Sequence, residues 1–111
     1  MIVVSGENIY PEQVEEVLLE NPKVRECIVT AVPDKIRGQS VAAYVVPEDP
    51  GLTIEELGEF CSNSPMLSNY KRPRYFAIVD SLPKTATGKK QHYMMKKRSE
   101  EDLKNGILKR P

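Results

Sequence analysis

The feature that most constrains the fold is the apolar run VAAYVV, from Val41 to Val46. Both alternating faces of this run are apolar, so a strand formed by it must be covered on both sides. The segment VRECIVTAV (24–32) is also rich in β-branched residues, and the turn residues PDKIRG join it to the strand at 39–46. The two strands are therefore predicted to pair antiparallel. A third core strand, YFAIV, is predicted at 75–79.

The amino-terminal segment predicts a short β-hairpin over residues 1–10, with SGEN as its turn. Pro11 then suits the first turn of a helix. Apolar residues recur at helical spacing through 11–20, and Glu12, Glu15 and Glu16 are predicted to face outward.

Two further helices are predicted. Thr53 and Glu56 form a capping box ahead of a helix at about 53–63. A last helix is predicted from Gln91 onward, fraying into KNGILKRP. The expected fold class is α+β: a small three-stranded sheet flanked by helices and preceded by the hairpin.

Size and composition exclude several classes of protein. At 111 residues the chain is expected to form one domain, 1–111, too small for a large substrate pocket of its own. No apolar run approaches the roughly 18 residues of a membrane span, and the start does not resemble a signal peptide, so a cytoplasmic location is expected. Cys27 and Cys61 lack ligand spacing and are predicted to be buried free thiols. With His92 as the only histidine, no metal site is predicted.

The net charge of zero hides a strong segregation of charge. Residues 1–70 carry 4 basic and 12 acidic side chains, whereas residues 71–98 carry 9 basic and 1 acidic. Lysine and arginine clusters attract phosphates, and the interleaved tyrosines would also suit nucleic acid. The acidic first segment would repel a long polyanion, so a small anionic ligand fits better.

The loop SLPKTATGKK (81–90) follows the third strand and places Gly88 directly before Lys89. Its small residues, Thr85, Thr87 and Gly88, predict a tip that can carry the lysine ammonium into another molecule or domain. A Walker phosphate loop would need a glycine at 83 and a serine or threonine at 90. Proline and lysine stand there instead, which excludes that motif.

Three separated motifs, SGENIYPEQVEEVL, VPDKIRGQSVAAYVVP and YKRPRYFAIVDSLPKTATGK, occur in order between Val4 and Lys89. Together they resemble the C-terminal domain of adenylate-forming enzymes, the superfamily of acyl-CoA synthetases, adenylation domains and luciferases. The short TATGK form resembles acyl-CoA ligases more than peptide-synthetase modules.

The resemblance implies a lid domain of an AMP-forming acid–CoA ligase acting on a fatty or aromatic acid. A large N-terminal domain, the implied partner, would hold ATP, Mg²⁺ and the carboxylic acid. The lid would close over it for adenylation and rotate for thioester formation with coenzyme A (CoA). By itself the domain is expected to bind none of these and to be inactive. The implied division is hairpin 1–10, core 11–80, catalytic-lysine loop 81–90, and C-terminal helix and tail 91–111.

The family's residues map onto this chain as follows. Lys89 matches the catalytic lysine, with Gly88, Thr87 and Thr85 giving its loop flexibility. The loop that faces the CoA channel in the thioester-forming conformation matches Ser5, Gly6 and Glu7. The basic residue that the family often carries before its Tyr-Lys pair is absent, because the chain reads CSNSPML there. If the CoA nucleotide phosphate needs a cation, the candidates are therefore Lys71, Arg72 and Arg74.

Two departures from the family pattern follow the lysine, where an apolar residue and then an arginine are usual. Lys90 and His92 stand at those positions, which puts the packing of the last helix in question. Two other functions stay open: a stand-alone regulatory or binding module of the same fold, and a small RNA-binding α+β domain that uses segment 71–98.

Overall fold

The structure, a computed structural model, describes residues 1–83 and 88–111, with the side chains of 88–91 left out of the description. The elements in chain order are β1 (Ile2–Val4), β2 (Glu7–Ile9), α1 (Pro11–Leu19), β3 (Val24–Asp34), β4 (Gly38–Pro47), α2 (Ile54–Ser62), a 3₁₀ turn (Asn69–Lys71), β5 (Tyr75–Ile78) and α3 (Gly88–Lys104). The predicted α+β class, with its hairpin and three-stranded sheet, is confirmed.

The three-stranded sheet has the order β3-β4-β5. As predicted, β3 and β4 pair antiparallel, with Val29 opposite Ala43. The pairing of β4 with β5 is parallel, with Ala43 opposite Phe76. Parallel neighbours need a crossover connection, and the segment containing α2 supplies it.

The central strand β4 is buried on both faces, as its apolar run predicted. On one face α1, α2 and the hairpin cover a cluster that includes Val29, Ala43 and Phe76. On the other face Met95 of α3 and Leu108 of the tail pack against Tyr44. The helices therefore cover both sides of one sheet.

The caps of the first two helices follow local sequence signals. Pro11 occupies the first turn of α1. The Thr53 side chain accepts a hydrogen bond from the backbone N–H of Glu56 at 3.2 Å, as a capping residue should. The Glu56 carboxylate, which would complete the predicted capping box, pairs with Lys23 at 2.9 Å.

The last helix differs from its prediction at both ends. α3 begins at Gly88, three residues before the predicted start. The tail does not fray: Gly106 turns the chain at a φ of +75°, Leu108 is buried, and Lys109 bridges to Phe76. The apolar Leu108 side chain completes the core on the α3 face, which explains why the tail stays on the domain.

A buried polar cluster fixes the second half of α3 on the sheet. The Tyr44 hydroxyl donates to Asp102 Oδ2 at 2.6 Å, and Arg98 Nε donates to the same oxygen at 3.1 Å. The Arg98 guanidinium also lies 5.3 Å from the centroid of the Tyr44 ring. Burial and the hydrogen bond to Asp102 raise the pKa of Tyr44, so its hydroxyl stays a donor.

None of the helices in the described part of the chain is long and apolar enough to cross a membrane.

Candidate functional site

Four arginines line a cavity of about 310 Å³ beside the start of β4. The arginines are Arg37, Arg72, Arg74 and Arg110. The Nε atoms of Arg72 and Arg74 are buried and, among the described residues, have no hydrogen-bond acceptor. Buried polar groups in folded proteins are normally satisfied, so these two donors favour an anion that would supply oxygen acceptors.

Arg37 enters the cavity from the turn between β3 and β4. Asp34 Oδ1 accepts from the backbone N–H groups of Ile36 and Arg37, both at 2.9 Å. Its other oxygen accepts from the Ser40 hydroxyl at 2.6 Å. These hydrogen bonds, that of Ser40 first, lower the pKa of Asp34 to about 2. The carboxylate therefore stays ionised and holds the turn that carries Arg37.

Arg72 and Arg74 lie on either side of the buried Pro73, just before β5. The backbone N–H of Arg74 donates to Val41 O at 2.8 Å, which ties this segment to the central strand. Lys71, the third predicted candidate for a phosphate contact, ends the 3₁₀ turn and does not line the cavity.

Arg110 comes from the C-terminal tail. Phe76 N–H donates to Lys109 O at 2.8 Å, and Lys109 N–H donates to Phe76 O at 2.9 Å. This two-bond bridge places the next residue at the cavity. A Cβ atom added to Gly58 would lie 2.6 Å from Pro111 Cβ, so any larger residue at position 58 would have to displace the tail.

Of the three predicted loop residues, Ser5 and Gly6 form the turn of the hairpin and Glu7 begins β2. Ser5 and Gly6 have φ angles of 50° and 85°, the left-handed pair of a tight hairpin turn. Nothing lies within 4 Å of a Cβ atom placed on Gly6, so a side chain there would not clash with the rest of this domain. What favours glycine at this position is its positive φ angle. Ser5 N–H donates to Arg37 O at 2.9 Å. The structure thus brings the hairpin turn next to the arginine cavity.

Lys89 lies in the first turn of α3 by its backbone, and its side chain is outside the described residues. Thr85 and Thr87 are also outside them, so the roles predicted for these residues stay predictions. Gly88 is the first residue of the helix.

His92 pairs with a glutamate that was predicted to face outward. Its Nε2 lies 2.7 Å from Glu15 Oε2, and the Glu15 side chain is only 15% exposed. The outward prediction for Glu15 was wrong because it considered only the apolar stripe of α1. An inward Glu15 satisfies the backbone N–H of Val29 at 2.8 Å, a tertiary contact that helical periodicity does not show.

Neither the two cysteines nor the possible metal ligands form a reactive site among the described residues. Cys27 and Cys61 are free thiols, and burial raises their pKa values to about 12 and about 11. Cys61 is buried as predicted, whereas Cys27 is only partly buried. Within the described residues, no group of three or more His, Cys, Asp and Glu side chains could hold a metal ion.

The arginines of the basic segment 71–98 lie in two different places. Arg72 and Arg74 face the cavity, whereas Arg98 pairs with Asp102 on α3. Sequence reasoning missed Arg37 and Arg110, which lie outside that segment. Their only sequence signal is their charge, and the fold alone brings them to the same place.

The family model of the AMP-binding enzyme C-terminal domain matches residues 13–89. The long-chain-fatty-acid–CoA ligase of Escherichia coli is 42% identical over 89 residues, which cover 80% of this chain and 16% of that ligase. The 2-succinylbenzoate–CoA ligase of Bacillus licheniformis is 46% identical over 89 residues, 80% of this chain and 18% of that ligase.

Solved structures agree with these relatives. The o-succinylbenzoate CoA synthetase of Bacillus subtilis, in complex with its acyl-adenylate intermediate, matches at a TM-score of 0.75 and 38% identity, over 85% of this chain and 19% of that one. The chain thus spans less than a fifth of the length of these relatives. By its sequence and its fold, the chain belongs to the family of AMP-binding enzyme C-terminal domains of acyl-CoA ligases.

Proposed function

We propose that this chain is the lid domain of an ATP-dependent acid–CoA ligase, with Lys89 acting in adenylation and the arginine cavity binding a phosphate of CoA. The single observation that carries the CoA assignment is the cavity lined by four arginines, of which Arg72 and Arg74 have buried Nε–H donors without an acceptor among the described residues. A phosphate group offers several anionic oxygens to such forked donors. The cavity volume of about 310 Å³ suits the phosphate end of CoA rather than the whole molecule.

The hairpin turn supports the same assignment. It contacts the Arg37 turn through Ser5, and the space around Gly6 is open. A ligand whose phosphate lies among the arginines would extend along this open turn. Ser5, Gly6 and Glu7 would then border the pantetheine arm, and any side chain at position 6 would narrow the passage as well as strain the backbone.

The adenylation role of Lys89 rests on the family match and on its position. In adenylation, a carboxylate attacks the α-phosphate of ATP, and negative charge accumulates on the oxygens of both groups. A cation that bridges these oxygens stabilises the transition state more than the separated reactants. The amino end of α3, a helix of 17 residues, adds positive potential beside Lys89. ATP, Mg²⁺ and the acid would be held by an N-terminal domain of the kind found in the relatives.

A domain-swapped ligase tests the proposal: the Bacillus licheniformis 2-succinylbenzoate–CoA ligase with its matched C-terminal segment replaced by this chain. We expect thioester formation well above that of the ligase truncated before this segment. A swapped ligase no faster than the truncated one would contradict the proposal.

Within the swapped ligase, Arg72→Met and Arg74→Met test the cavity. Each should raise KM for CoA by about tenfold or more, since each removes a charged hydrogen bond of about 1.5–3 kcal/mol. Lys71→Met is the matched control, because Lys71 is adjacent in sequence and does not line the cavity. Equal effects of Lys71→Met and Arg72→Met would refute the assignment of the cavity.

A further inference from the structure

The outer edge of β3 is open, because β3 is the first strand in the sheet order. Side chains from outside the sheet approach two backbone groups of this strand. Val29 N–H donates to Glu15 Oε2 at 2.8 Å. The Ser99 hydroxyl donates to Lys96 O at 2.7 Å and lies 3.4 Å from Ala31 O, a weaker contact. Covering an open strand edge in this way protects it from pairing with other chains. Glu15 comes from α1 and Ser99 from α3, so two helices from opposite faces meet at this edge.

His92 on α3 also contacts Glu15. Its Nε2 is 2.7 Å from the same Glu15 oxygen that accepts from Val29. An ionised carboxylate only accepts hydrogen bonds, so in the clasp with an ionised Glu15 the donor is a protonated Nε2. The two side chains are 25% and 15% exposed, which limits screening by water.

Titratable groups on α1, β3 and α3 surround the pair. The pKa of Glu15 is raised, chiefly by burial and to a lesser extent by the charge of Glu12. The hydrogen bonds from Val29 and His92 act in the opposite direction and lower the pKa. Cys27 on β3 donates its thiol to Glu15 O at 3.6 Å. On α3, Tyr93 and Lys96 line the small cavity beside His92.

His92 lies three residues after Lys89, less than one helical turn along α3. Its contact with Glu15 is the anchor nearest to the amino end of α3 among the described side chains, and Ser99 and Asp102 anchor later turns. A displaced first turn would carry the lysine with it. In catalysis, a misplacement of about 1 Å can lower a rate about 10²-fold.

We infer that Glu15 and His92 form an edge clasp: a pair of positioning residues that fixes the first turn of α3 on β3 and thereby sets the point from which Lys89 extends. The part of this inference that concerns catalysis rests on the proposed function. The clasp itself is a property of this chain and is tested separately.

Nuclear magnetic resonance of the 111-residue chain tests the clasp, because its one histidine gives one set of ring signals. At neutral pH the ring ¹⁵N shifts should show a protonated Nε2, whose proton exchanges slowly with water. In Glu15→Ala this protection should be lost, because position 15 then offers no side-chain acceptor. A bare Nε2 in the unsubstituted chain, or ring signals that are the same in Glu15→Ala, would overturn the clasp.

Amide hydrogen exchange tests the positioning. His92→Ala should speed exchange of the amides of residues 92–95, which donate to the carbonyls of the first turn of α3, and leave the turn around Asp102 protected. His92→Gln should keep slow exchange, because the glutamine amide can donate to Glu15 from nearly the same place. Met94→Ala is the control, since Met94 is 42% exposed and lies on the same turn. Equal exchange in His92→Ala and Met94→Ala would overturn the positioning role.

The swapped ligase then gives the catalytic readout. His92→Ala should slow adenylation about ten- to a hundredfold, spare attack of CoA on preformed acyl-adenylate, and be rescued by His92→Gln. If Lys89→Ala slows adenylation and His92→Ala does not, the catalytic role of the clasp is wrong and the proposed function stands. If Lys89→Ala has no effect while the clasp signals are present, the proposed function is wrong and the clasp stands.

Discussion

Replacing Tyr44 by phenylalanine should destabilise the chain by removing one hydrogen bond and no packing volume. The hydroxyl donates to Asp102 at 2.6 Å, and Tyr44 and Asp102 are 0% and 6% exposed. A buried hydrogen bond to a charged group contributes about 1.5–3 kcal/mol. The Asp102 carboxylate would retain Arg98, whose side chain is 43% exposed, so full compensation by that arginine is not expected.

The assay is urea or thermal unfolding of the 111-residue chain. For a domain of this length, 1 kcal/mol corresponds to about 4 °C in Tm, so Tyr44→Phe should lower Tm by about 6–12 °C. Tyr93→Phe is the matched control, because Tyr93 is 60% exposed and lies on α3. Its effect should stay within about 0.5 kcal/mol.

A double-mutant cycle separates the hydrogen bond from other effects. Asp102→Ala and Tyr44→Phe should be non-additive, with a coupling energy of about 1 kcal/mol or more. Additive effects, or a Tyr44→Phe chain as stable as Tyr93→Phe, would refute the view that this bond fixes α3 on the sheet.

Three other predictions concern the site and its supports. Because the pKa of Asp34 is lowered to about 2, its stabilising effect is fully present above its usual pKa of 3.8 and is lost as pH falls through 2. Asp34→Asn should therefore unfold at a lower urea concentration than the unsubstituted chain at neutral pH. A difference between the two urea midpoints that does not shrink toward acid pH would contradict this. Gly58→Ala should raise KM for CoA in the swapped ligase, because the new methyl group displaces Pro111 and with it Arg110. This is expected although alanine favours the helix by about 1 kcal/mol. Removing Pro111 from the variant should restore KM, and an unchanged KM in Gly58→Ala would argue against a role for the tail. Both thiols should react slowly with a thiol reagent at neutral pH in the folded chain and quickly in urea, since burial raises their pKa values to about 12 and about 11; fast labelling of the folded chain would show that the burial is incomplete.

Local sequence signals predicted the elements of this fold well. The doubly apolar run at Val41–Val46 correctly indicated a central strand, and Pro11 and Thr53 marked where helices begin. These signals work because they depend on neighbours in the chain: alternation, helical periodicity and capping. The α+β class followed from the order of the elements.

Contacts between distant segments were not predictable in the same way. The parallel pairing of β5, the inward turn of Glu15 and the bridge from Lys109 to Phe76 all depend on packing that is complete only in the folded chain. The candidate site shows the same division. Arg72 and Arg74 were named from the family pattern, whereas Arg37 and Arg110 join them only because a turn and the tail meet at the start of β4.

The most direct test of the central claim compares the two half-reactions of the swapped ligase carrying Lys89→Ala. Single-turnover kinetics would measure formation of the acyl-adenylate from ATP and the acid, and separately the attack of CoA on preformed acyl-adenylate. Loss of one preorganised electrostatic contact should slow adenylation about 10²–10³-fold, whereas the thioester step should stay near its original rate, and Lys90→Ala should affect neither step. Equal slowing of both steps, or adenylation at the unsubstituted rate, would contradict the account.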